Sequence, residues 1–152
     1  MANATANRDR YVIGKEGRDV FLPVAASVHL YAQTMVLQFG SGGTNPGHVV
    51  KHGTANADLH VIGVTQHEVD NSSGAAGAKR VTVERDREFV FDNDTTNPCS
   101  EAVLQGAKVY AVDDHTIGTS SVTNTLPVAG TFCGMEPNGK VRVMIHIDNV
   151  LK

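Results

Sequence analysis

The sequence predicts an all-β or nearly all-β fold: a small barrel- or sandwich-like body of short strands, with one short helix and an extended N-terminal arm. Three observations predict it. Turn-forming clusters cut the chain into short pieces: Gly40-Ser41-Gly42-Gly43, Asn45-Pro46-Gly47, Asn71-Ser72-Ser73-Gly74, Asn97-Pro98 and Pro137-Asn138-Gly139. Apolar residues between the clusters alternate, as strands with one buried face require. No long stretch repeats apolar residues at helical spacing, and many short strands between Gly-rich turns is the pattern of a sandwich or barrel.

Taken along the chain, residues 1–24 read as the arm, because large apolar side chains are scarce until Tyr11-Val12-Ile13 and Val20-Phe21-Leu22-Pro23. Such an arm is either disordered or adds a strand to a partner's sheet edge. The body spans 25–152 as one domain. Within it, residues 24–30 are ambiguous, while 33–39, 48–51, 59–66, 107–112 and 130–134 are strands rich in Val, Ile, Tyr or Phe. From Val81 to Asp92, Val81, Val83, Phe89 and Phe91 share one face. The charges at Arg85 to Arg87 make this either two strands meeting at a turn or one strand with a solvated middle. Ser100 as N-cap and Gly106 just past the end predict a short helix over 100–105. The clearest strand runs from Lys140 to Asp148, with Val141, Val143, Ile145 and Ile147 facing inward.

At 152 residues, 41% hydrophobic and 19% charged, the chain buries enough to fold without metal or disulfides and is too apolar for disorder. A net charge of −3 with no basic cluster argues against nucleic acid or anionic lipid as partner. The first ten residues lack the apolar core of a signal peptide, and no run reaches membrane-spanning length. The two cysteines, Cys99 and Cys133, read as free thiols in a reducing compartment.

Three constellations invite chemistry, and each has a simpler explanation. His48, His52, His60 and His67 lack the spacing of a zinc site. Asp92-Asn93-Asp94 with Asn97 offers oxygens at alternate positions but lacks the Gly and distal Glu of a calcium loop, so it reads as an Asx-rich turn. Asp113-Asp114-His115 with Ser120 or Ser121 has the residue types of a hydrolase triad but no nucleophile elbow, and a hairpin turn explains it. No catalytic residue, metal ligand or cofactor is assigned, and the chain reads as a non-enzyme.

A loose internal echo is also present. Gly47-His48-Val49-Val50 leads on to Val61-Ile62-Gly63-Val64, and Gly106-Ala107-Lys108-Val109-Tyr110 leads on to Val128-Ala129-Gly130-Thr131-Phe132. These segments, with Gly74 to Gly77, Val81-Thr82-Val83, Phe89-Val90-Phe91 and Gly139-Lys140-Val141-Arg142-Val143, resemble the capsid decoration (cement) proteins of tailed-phage heads, over about residues 31–147. The segment 120–128 and the chain before Tyr31 fall outside the resemblance.

The resemblance implies a β-barrel body on the exterior of the head, made in the host cytoplasm. It further implies a homo-oligomer, a trimer at lattice three-folds, that touches the major capsid protein through its base and arm. The expected contact residues are Tyr11, Val12, Ile13, Val20, Phe21 and Leu22. The alternative is a head fibre or a receptor- or glycan-binding module, using the loops at 40–45 or 71–77.

Overall fold

The computed structural model describes residues 3–8, 12–13, 18–40, 42, 44–53 and 59–146, and among these there is no helix. The strands are β1 (Val12–Ile13), β2 (Arg18–Pro23), β3 (Val28–Leu30), β4 (Met35–Phe39), β5 (Val49–Lys51), β6 (Leu59–Thr65) and β7 (Val69–Asn71), followed by β8 (Arg80–Arg85), β9 (Arg87–Asn93), β10 (Lys108–Ala111), β11 (Thr116–Gly118), β12 (Val128–Met135) and β13 (Val141–Ile145). Among the described residues the strands expected from alternation are present within a residue or two; Ile147 and Asp148, at the end of the last expected strand, lie outside the described residues.

Two closed rings organise them. Strands β9, β11, β10, β12 and β13 pair in that order, and β13 pairs back onto β9 to close a five-stranded barrel. Strands β2, β8, β6, β4 and β5 form a second sheet, which a parallel bridge between Val24 and Val49 closes in the same sense. A small antiparallel pair, β3 with β7, lies beside β5 of this N-terminal barrel, which is the first in the chain, with the barrel of β9 to β13 the second.

The barrels are two copies of one strand plan. In each, the first strand lies parallel to the third, the third pairs with the second, the second with the fourth, the fourth with the fifth, and the fifth with the first. The registers coincide as well. Val36 opposes Gly63 and Leu37 opposes Val61 across a bulge, as Val109 opposes Gly130 and Tyr110 opposes Val128 across another. Thr65 opposes Val83 as Phe132 opposes Val143, and Val20 opposes Val83 as Phe89 opposes Val143. The closures match too: Ala25 N–H donates to Val49 O at 2.9 Å, and Asp94 N–H to Ile117 O at 2.8 Å.

The echo in the sequence is therefore half of a true repeat. Gly63 and Gly130 are structural equivalents, but the partner of Lys108-Val109-Tyr110 is Met35-Val36-Leu37 in β4, not the segment Gly47 to Val50. The second barrel follows the first without a hairpin. The stretch from Val81 to Asp92 takes the first of the two expected forms, two strands meeting at a tight turn, although β8 and β9 pair with different sheets rather than with each other. The chain turns at Asp86, which adopts φ 55° and donates its N–H to Ile145 O at 2.7 Å. Asp is among the few side chains that tolerate this left-handed conformation. One continuous apolar core runs through both barrels, with Phe89, Phe132, Met35, Ile62 and Ile117 among its fully buried side chains.

Two expectations are corrected. Residues 100–105 form consecutive turns, with Val103 N–H bonded to Ser100 O and Ala107 N–H to Leu104 O, while Gly106 donates its N–H across to Phe132 O. A helix of so few residues cannot repay its nucleation cost against such competing bonds. Nor is 1–24 an arm apart from the body. Arg18–Pro23 is a strand of the first barrel and Val24 is fully buried. Val12–Ile13 pairs with β9, and residues 3–8 lie along the body through contacts described below.

Candidate functional site at the seam between the barrels

Polar groups concentrate where the β10–β11 hairpin of the second barrel meets the first. Val112 N–H donates to Thr116 O and closes the hairpin, leaving Asp113, Asp114 and His115 at its tip. Asp113 and Asp114 are only 5% and 3% exposed. Asp113 Oδ1 accepts the His115 N–H at 2.9 Å, an Asx turn, and His115 Nδ1 lies 2.6 Å from Asp114 Oδ1 and 3.3 Å from Asp113 Oδ1. The tip is tied to the first barrel by Met35 N–H donating to Asp114 O at 2.7 Å. His52 adds a second tie, from Nε2 to the Ala111 carbonyl at 3.0 Å.

Residues 3–8 cross this seam as a strap. Asn3 donates its side-chain amide to the His52 carbonyl, and Ala4 N–H lies 2.8 and 3.0 Å from the two Asp114 carboxylate oxygens. Asn7 accepts the Ala32 N–H at 3.0 Å and donates to Glu68 at 3.0 Å. Arg8 donates its N–H to Ala32 O at 3.2 Å, and its guanidinium pairs with Asp92 at 2.5 Å. Asp92 also holds Lys140 at 2.5 Å. His52, Ala32 and Glu68 belong to the first barrel and its loops, and Asp114 and Asp92 to the second, so the strap joins the two.

Burial lowers the affinity of His52 for a proton, against the opposing influence of the Ala111 carbonyl and of Asp113 and Asp114. Burial alone would raise the Asp92 carboxyl, but the hydrogen bond from Lys140 and the charges of Lys140 and Arg8 carry it below its ordinary value. The signs lead to one direction of pH dependence. A histidine harder to protonate folded than unfolded costs stability as pH falls below its free value of 6.5, and a carboxylate easier to ionise when folded loses its contribution as pH falls below 3.8. Thermal midpoints should therefore be flat from neutrality up to the free thiol value of 9.0, above which the buried Cys99, harder to ionise when folded, costs stability, and should begin to fall below about pH 6.5. The slope from one histidine is at most about 1.4 kcal/mol per pH unit. His52→Gln should remove the first phase and leave the acid phase.

The other sequence candidates are dispersed. His48 lies in a turn with Nδ1 3.4 Å from Pro46 O, His67 is exposed in the turn after β6, and the His60 side chain lies outside the described residues. Among the described residues, Asp113, Asp114 and His115 alone bring three ligand-type side chains together, within 4.8 Å, and both oxygens of Asp114 already face the Ala4 N–H. Asn93 bonds Cys99 through both its amide atoms, and Asp94 accepts the Asn97 N–H at 2.8 Å, so the 92–97 segment is the Asx-rich turn expected. The Ser120 and Ser121 hydroxyls accept the N–H groups of Val122 and Asn124 in their own loop. Cys99 and Cys133 are free thiols, and burial pushes Cys99 up to about 11, which leaves it a poor nucleophile.

Of the expected contact residues, Tyr11 lies outside the described residues, and Val12 and Ile13 are described as backbone only. Val20 and Leu22 pack against the core from β2, whereas Phe21, on the opposite face, is 58% exposed beneath the Arg80 guanidinium. The seam itself was missed. Two adjacent carboxylates directly after an apolar strand signal a need for donors, but only the tertiary fold reveals that residues 3–8 supply them. No described helix is long and apolar enough to cross a membrane. No protein-family model, no curated protein and no solved structure matches this chain.

Proposed function

We propose that this chain is a structural virion protein that binds the outside of an assembled phage head and stabilises the lattice of the major capsid protein. On this reading it is made in the host cytoplasm and ends on the exterior of the head, with the major capsid protein and neighbouring copies of itself, as a trimer, for partners. It has no catalytic role. The observation that carries the reading is the succession of glycines and apolar strands between residues 31 and 147, which resembles capsid decoration proteins. A rigid body of two strand barrels with a shared core suits a protein whose work is mechanical, because many symmetric copies making weak contacts become collectively strong.

The test is co-sedimentation with expanded shells that lack the protein. Full-length protein should saturate them at a fixed ratio to the major capsid protein, and absence of binding would refute the assignment. Phe21 is the expected contact residue with a described, exposed side chain. Phe21→Asp should change stability by less than about 0.5 kcal/mol, as surface substitutions do. It should nevertheless reduce co-sedimentation to background; retention of full binding by this variant would remove Phe21 from the docking surface.

One observation favours a second reading, a receptor-binding module of the virion. Val122, Thr123 and Asn124 all adopt left-handed φ values of 46°, 56° and 63°, and Val122 is exposed. Such backbone strain concentrates at binding sites. Binding of isolated protein to host cells, without binding to shells, would favour this reading over the first.

A further inference from the structure

We propose that the seam between the barrels is a peptide-binding groove whose ligand is the segment 3–8, and that a second copy of this chain supplies that ligand in trans. The inference is independent of the capsid reading.

The groove recognises an extended chain by its backbone and its polar side chains. A buried carboxylate, Asp114, receives the Ala4 N–H, the Ala32 carbonyl receives the Arg8 N–H, and the Ala32 N–H meets the Asn7 side chain. Charge complementarity fixes the register, since Arg8 arrives at Asp92 as Ala4 arrives at Asp114.

The way the segment is held makes it exchangeable. Its described contacts are hydrogen bonds and an ion pair, and residues 5–7 are exposed. Release therefore uncovers little apolar surface, and water replaces most of what is lost. The same segment from another copy brings the identical contacts, so exchange between copies is close to neutral in free energy. Proximity then decides it. The occupant is specified by the groove's own complement: an extended segment with an N–H at the position of Ala4 and a cation four residues later, which this chain carries.

Disulfide trapping in the full-length chain tests this, because Asn7 Oδ1 lies 3.0 Å from the Ala32 N–H. In a Cys133→Ser background, a chain carrying both Asn7→Cys and Ala32→Cys should close an internal disulfide, which establishes that the segment occupies the groove. A mixture of chains carrying Asn7→Cys alone with chains carrying Ala32→Cys alone can form a mixed dimer above the level of random collision only by exchange. Its yield should rise with concentration, and adding Arg8→Ala to the Asn7→Cys chain should abolish it.

Ser120→Cys in place of Ala32→Cys gives the level of random collision. A mixed-dimer yield no higher than that control, in the concentration range where the double variant closes internally, would overturn the exchange. Failure of the double variant to close would overturn the groove itself.

Discussion

Gly130→Ala is expected to destabilise the protein by about 3 kcal/mol, the upper end of the range for forcing extra atoms into a packed interior. A Cβ at Gly130 would lie 2.1 Å from Met144 O and 2.9 Å from the Val143 side chain. The first of these contacts is with backbone, so no side-chain rotation relieves it, and β12 must move away from β13 at the centre of the barrel. Gly63→Ala is the matching experiment, with a Cβ 2.3 Å from Glu84 O and 2.6 Å from Val83 Cγ1. Because the two glycines hold equivalent places in equivalent barrels, the losses should be alike. Gly139→Ala is the contrast: it has φ 82° in an exposed turn with nothing near its Cβ, and should cost only the roughly 1 kcal/mol of a left-handed alanine. Chemical denaturation of the three variants checks this. Equal, small losses at all three would mean that the close crossings of fourth and fifth strands do not constrain the barrels.

That pair of glycines also marks how far the sequence could be read. Period-two alternation locates the strands because each has one face in the core, so the inward positions of Val141, Val143 and Ile145 follow from the sequence without any partner strand. Ring closure was not legible. It depends on a single parallel bridge at Val24 in one barrel and on a two-residue pairing of β9 with β11 in the other, too few residues to leave a pattern. The duplication showed only at Gly63 and Gly130, where backbone proximity demands the same residue twice. Elsewhere, equivalent positions such as Thr65 and Phe132 need only fill a core, and many side chains do that.

The N-terminal segment illustrates the opposite failure. Its scarcity of apolar residues suggests an arm, because a segment held by polar contacts carries no apolar periodicity. Asn3, Ala4, Asn7 and Arg8 are held by hydrogen bonds whose partners lie far along the chain, from Ala32 to Asp114, and no local pattern reports those. Phe21 was legible as a sticky residue, but its neighbours Val20 and Leu22 belong to the core because a strand sends alternate side chains to opposite faces.

Asp114→Ala should cost about 2–3 kcal/mol, the range for removing a charged acceptor from buried hydrogen bonds. The carboxylate is almost wholly buried and serves the strap through the Ala4 N–H and its own hairpin through His115, so its loss acts on both. The Ala4 N–H can turn to water once the strap lifts, which limits the first part of the loss. His115 cannot escape so easily, because it remains bonded through its backbone to Asp113 and keeps only the 3.3 Å pairing with that carboxylate. Asp114→Asn separates the parts: the amide oxygen can still accept one N–H, but the nearer of the two negative charges beside His115 is gone. If Asn restores the strap, measured as protection of the Ala4 and Arg8 amides from hydrogen exchange, while stability stays low, the hairpin tip is where Asp114 contributes most. If Asn restores stability as well, the strap is the larger part, and residues 3–8 contribute to the fold as well as occupying its seam. Unchanged stability in Asp114→Ala would contradict both and would mean that the seam is held by Met35, His52 and the shared core alone.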